Sequence, residues 1–136
     1  MPEIEPEPWE YSLTLPNDLR AVTVSRRTLR LILTAHGLIH LTDLAELLAA
    51  ELVSNAVRHT KGPVVMGVHW SDGVLWIGAW DCDPASPQPA CPAEPLAEDG
   101  RGLVLIWACA DGWGWRPAER NGGPGKVVWC ELAAAA

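Results

Sequence analysis

The stretch VVMGVHWSDGVLWIGAW, residues 64–80, decides how this chain folds. Its halves, 64–70 and 74–80, are rich in Val, Ile and Trp, and Ser71-Asp72-Gly73 between them has the make-up of a hairpin turn. Two adjacent antiparallel strands are expected. Upstream, residues 41–59 put Leu41, Ala45, Leu48, Leu52 and Ala56 on one face of a helix, which should lie on that sheet. An earlier helix, capped by Asn17 or Asp18, runs to about His36 with Val22, Leu29, Ile32 and Leu33 as apolar positions, and Gly37 follows it. Residues 9–15 read as an edge strand that Pro16 ends.

Downstream of the hairpin, residues 81–99 turn to Pro, Ala, Cys and acidic side chains, the composition of a long functional loop or lid. Gly100-Arg101-Gly102 opens a helix over 103–110, and 112–116 with 126–132 form a last strand pair. This order predicts an α+β two-layer sandwich. A single domain spans 9–132, between an acidic, Pro-rich tail at 1–8 and a tail at 133–136.

A chain of 136 residues buries one core, and its 49% hydrophobic and 20% charged composition excludes a disordered polymer. The net charge of −7, without any basic run, argues against nucleic acid as a partner. The first residues lack the positive and apolar regions of a secretory signal, and no apolar stretch reaches the roughly 18 residues of a membrane span. A cytoplasmic protein without membrane contact is expected. Cys82, Cys91, Cys109 and Cys130 form no C-x-x-C pair and read as reduced thiols. Eight Trp stand beside no Phe, and Trp107, Trp113, Trp115 and Trp129 are expected to fill the core.

Chemistry-bearing residues fall in three places. Glu51 and Asn55, four apart, share one helix face on the shoulder of the apolar stripe. A carboxylate and a carboxamide there either bond to protein groups or face a polar cavity. Arg58 continues that shoulder, as a phosphate-binding cation or simply as a cation favoured at a helix C-terminus. Asp81 ends the strand 74–80, where it points into a pocket or makes a turn. Gly100-Arg101-Gly102 at a helix start lets backbone N–H groups approach an anion, or serves as a hinge.

In this order, ELVSNAVRH (51–59), WDCDP (80–84) and GRGL (100–103) resemble the N, G1 and G2 boxes of the GHKL ATPase superfamily, and GKVVWCEL (125–132) resembles its last strand. With no dimerisation helix pair or phosphoacceptor domain, the chain is most similar to the short bacterial anti-sigma-factor serine/threonine kinases. The resemblance implies a Bergerat-type ATP-binding fold, with a mixed, mostly antiparallel sheet and helices on one face. It implies ATP and Mg²⁺ as cofactors. Asn55 would hold the metal, Glu51 would be the general base, and Asp81 would accept a hydrogen bond from the adenine amino group. Gly100, Arg101 and Gly102 would close over the phosphates, with Arg58 touching them. The implied partners are a sigma factor and an anti-anti-sigma protein that is phosphorylated on serine. The family's dimers form through the N-terminal strand and first helix, so a homodimer is also implied.

The chain departs from the family pattern at Asp83, where a glycine is usual, and at Val127, where a threonine helps hold adenine. These departures lead to a second reading, a partner-binding module without phosphoryl transfer. A third, a thiol-based sensor, rests on Cys82 and Cys91 near the adenine position.

Overall fold

In chain order, the computed structural model contains β1 (Trp9–Leu15), α1 (Arg20–Ala35), a 3-10 turn (Ile39–Leu41), α2 (Thr42–His59), β2 (Val64–Ser71), β3 (Val74–Asp81), β4 (Gly112–Pro117) and β5 (Lys126–Ala133). It describes residues 7–84 and 108–134. The expected loop over 85–99 lies outside these residues, as does the expected helix over 103–110 apart from its end, where Ala108 and Cys109 are helical.

The strands form one sheet in the order β1-β2-β3-β5-β4, and every neighbouring pair is antiparallel. Among the described residues the sheet is therefore antiparallel throughout rather than mixed. The reason lies in the connections: an antiparallel helix pair returns the chain to the end it left, so β2 runs against β1. Between β2 and β3, Asp72 and Gly73 hold φ of 53° and 77°. A type I′ hairpin turn needs both left-handed conformations, and Asp-Gly supplies them at low cost. Asn121-Gly122, at 51° and 79°, does the same in the link from β4 to β5.

Local chemistry also sets the helix ends. Asp18 Oδ1 accepts the Arg20 N–H at 2.8 Å, which caps the start of α1. Asn17, the other candidate cap, donates instead to the carbonyls of Thr60 at 2.7 Å and Gly62 at 3.0 Å, fastening this corner to the end of α2. Gly37, at φ 76°, terminates α1, and the Leu38 N–H reaches back to the Leu33 carbonyl at 2.8 Å.

The predicted α2 stripe is the core. Leu41, Ala45, Leu48, Leu52 and Ala56 are all buried, and α2 packs across β3. From the sheet they meet Val64, Met66 and Val68 of β2, Leu75, Ile77 and Ala79 of β3, and Val128, Cys130 and Leu132 of β5. Each set is alternate residues of a strand, as the pleat requires. Leu29 and Leu33 of α1, which packs beside α2, join the same cluster, so both helices serve one sheet face.

The other face carries Trp76, Trp80 and Trp129, which alternate with the core residues of β3 and β5, whereas Trp9 and Trp70 pack with the core. Trp76 stacks on His69 with centroids 4.7 Å apart and planes 12° from parallel. A Cβ on Gly78 would overlap the Trp76 ring, and one on Gly114 would stand 2.6 Å from Trp129 Cζ2, so these glycines are the beds on which the rings lie. Trp129 is thus not a core residue. It alternates with Val128 and Cys130, which take the core side. Trp113 and Trp115, on edge strand β4, are 38% and 37% exposed, which also departs from the expected core role; Trp107 lies outside the described residues. No helix among the described residues is long and apolar enough to cross a membrane.

Candidate functional site

The topology gathers three chain segments at one end of the sheet. α2 ends at His59, the chain re-enters the sheet at Val64 beside Leu15, and Val65 pairs with Trp80, next to the last residue of β3. The last turns of α2, the end of β3 and the start of β5 therefore adjoin. Their closeness is visible at Gly62, where a Cβ would lie 2.6 Å from Cys82 Sγ.

On α2, Asn55 is 9% exposed, and its Oδ1 is buried with no hydrogen-bond partner among the described residues. A buried acceptor left unpaired costs roughly 1–3 kcal/mol, so its retention calls for a reason. Glu51, one turn earlier, is half-buried and lines a groove of about 470 Å³ between α1 and α2 with Arg26, Arg30, Leu47 and Ala50. Within that groove Arg30 is held by Glu46, its Nε at 2.8 Å, and by Asp43 at 3.2 Å. Arg58 is exposed in the last turn of α2. Gly100, Arg101 and Gly102 lie outside the described residues, as does Cys91.

Asp81 is 1% exposed and falls on the helix-covered face, two residues beyond Ala79. Its Oδ1 accepts the Asp83 N–H at 2.9 Å and a Lys126 Nζ–H at 3.0 Å. Lys126 also donates to the Asp83 carbonyl at 3.0 Å. Asp81 and Lys126 are direct cross-strand partners, which explains the pairing: the start of β5 delivers the ammonium opposite the end of β3. Burial pushes the Asp81 carboxyl above its ordinary range, while the hydrogen bonds from Lys126 and the Asp83 N–H pull against that rise.

Lys126 is the residue that the sequence reading missed, although strand parity signals it. Val128, Cys130 and Leu132 are core residues, so Lys126 shares their side and Val127 does not. Val127 instead lines a groove of about 270 Å³ on the opposite face, with Trp76, Trp80 and Arg116. The residue that meets Asp81 is therefore Lys126, and a hydroxyl at position 127 would face away from that carboxylate.

Cys82 is exposed and Cys130 fully buried, and both are free thiols. Burial pushes the Cys130 thiol up to about 12. Among the described residues no three His, Cys, Asp or Glu side chains converge on a common point. The arrangement thus provides an orphaned amide oxygen, a carboxylate on an open groove and a buried carboxylate–ammonium pair at one end of a two-layer sandwich. No protein-family model matches the chain, and no curated protein does.

Proposed function

We propose that the chain is an ATP-binding regulator of the GHKL type, with the Bergerat fold, that acts in the cytoplasm as an anti-sigma-factor serine/threonine kinase. The observation that carries this reading is the buried Oδ1 of Asn55, which has no partner among the described residues, on the helix whose end adjoins Asp81. A neutral hard oxygen of this kind suits Mg²⁺, which takes few protein ligands and keeps its waters. The metal would supply charge neutralisation for the nucleotide phosphates. Asp81 would orient the adenine edge, and Arg58 with Gly100, Arg101 and Gly102 would hold the phosphates.

Glu51 would act as the general base. Its groove between α1 and α2 gives a partner's serine a route to the carboxylate. The serine Oγ would attack the γ-phosphorus as the bond to the β,γ-bridging oxygen breaks; ADP leaves, phosphoserine forms and the hydroxyl proton passes to Glu51. The acceptor would be an anti-anti-sigma protein, and its phosphorylation would decide whether the chain, as a homodimer, holds a sigma factor.

One observation favours the second reading, a partner-binding module: Asp81 is already engaged in an ion pair with Lys126 within the protein. Calorimetric titration with Mg-ATP separates the two. Wild type is expected to bind, Asn55→Ala to lose binding, and Glu51→Ala to keep binding while losing transfer to a partner. Absence of binding by wild type at millimolar nucleotide would leave the module reading in place.

A further inference from the structure

Among the described residues, the buried pair at the end of β3 leaves one N–H donor and one carboxylate oxygen without a partner. An ammonium carries three N–H donors and no acceptor. Two from Lys126 go to Asp81 Oδ1 and the Asp83 carbonyl, each at 3.0 Å, and the third meets no acceptor among the described residues. The two bonds that Asp81 accepts both converge on Oδ1, so Oδ2 accepts from none of the described residues. These side chains are 3% and 1% exposed.

Such an arrangement is a poor device for stability alone. Burying two charges is costly, and an apolar pair of similar volume often serves a fold as well. What the pair does present is a fixed juxtaposition of one acceptor and one donor. Its complement is the edge of a planar heterocycle on which an exocyclic amino group adjoins a ring nitrogen with a free lone pair. Adenine has that edge in N6 and N1. The orphaned Asn55 oxygen belongs to the same end of the sheet.

Resting on the nucleotide reading above, we infer that Lys126 is a base-reading residue: its third N–H donates to N1 of the purine while Asp81 Oδ2 accepts from the 6-amino group. Asp83 takes part through its backbone, its carbonyl fixing the ammonium and its N–H fixing the carboxylate. The residue at 127 then has no role in reading the base, because its side chain faces the other side of the sheet.

A ligand–protein cycle tests this, with ATP and 1-deaza-ATP, which replaces N1 by C–H and keeps the amino group, titrated into wild type and Lys126→Met. Wild type is expected to bind the deaza analogue about 10-fold more weakly, the loss of one charge-assisted hydrogen bond, and Lys126→Met to bind both alike. Should Lys126→Met fail to fold, the double variant Asp81→Asn/Lys126→Met, which buries no unpaired charge, is to be read for the same loss of discrimination. Equal affinity of wild type for the two nucleotides would overturn the inference and leave the ATP reading intact, as would full discrimination surviving in either variant. Wild type that binds neither nucleotide would overturn both.

Discussion

Replacing Lys126 by Met keeps a long apolar stem and removes only the ammonium. That ammonium is 3% exposed and makes two bonds of 3.0 Å, to Asp81 Oδ1 and the Asp83 carbonyl. Without it the Asp81 carboxylate stays buried with the Asp83 N–H as its remaining donor among the described residues. Breaking a buried pair from one side costs about 3–5 kcal/mol, against total stabilities of about 5–15 kcal/mol for ordinary domains. The loss is expected to depend on pH. Burial already raises the Asp81 carboxyl of the folded protein above the ordinary 3.8, and Lys126 opposes that rise, so the variant moves it further up. An acid raised by folding contributes its stability in full below its unfolded value and loses it as pH rises through the folded one. Every tenfold gain in the carboxylate's proton affinity on folding corresponds to about 1.4 kcal/mol. Urea unfolding of wild type and Lys126→Met at pH 7 and near pH 4 should therefore show a gap that narrows on acidification. Removing both charges, in Asp81→Asn/Lys126→Met, should cost less than removing one. A single variant that loses under about 1 kcal/mol at pH 7, or a gap that does not change with pH, would refute the reasoning.

Asn55→Leu removes an acceptor that has no partner among the described residues and fills similar space, so without nucleotide it should stabilise the protein by about 1 kcal/mol in urea unfolding while abolishing Mg-ATP binding. Thiol labelling at pH 8 followed by peptide mapping should find exposed Cys82 modified and Cys130 untouched, because Cys130 is fully buried and its thiol is pushed up to about 12; native-state labelling of Cys130 would contradict its place in the core. The Arg20 guanidinium beside Asp18, together with the Arg20 N–H, lowers that carboxyl to about 2. Its stabilising effect on α1 is full above the unfolded value near 3.8 and fades as pH falls toward 2, which carboxyl carbon shifts in NMR would follow residue by residue.

The elements most legible in the sequence were those with a strict period or a turn of fixed chemistry. The stripe Leu41, Ala45, Leu48, Leu52 and Ala56 is buried throughout, and Asp72-Gly73 turns the hairpin where its composition placed it. Where two neighbours could serve one role, the sequence left the choice open: Asn17 and Asp18 can both cap a helix, and only packing against Thr60 and Gly62 separates them. Position within the sheet was harder to read. Trp129 looked like core material because large rings are usually buried, yet parity and a glycine bed put it on the opposite face. The same parity, applied to β5, puts Lys126 with the core and Val127 away from it. Counting alternate residues back from Cys130 identifies the lysine, whereas motif identity points to position 127.

The corner that Asn17 fastens also bears on the order in which the sheet assembles. The hairpin β2–β3 and the pair β4–β5 close over short turns, whereas β1 meets β2 only after both helices have intervened, Leu15 lying opposite Val64. Closing that long chain segment costs entropy before any ladder bond compensates it. The first strand is thus the natural last step of folding and the first to open in the native protein. A single carboxamide reaching the carbonyls of Thr60 and Gly62 stands at the point where that opening begins, so amide exchange in β1 should quicken when Asn17 is removed.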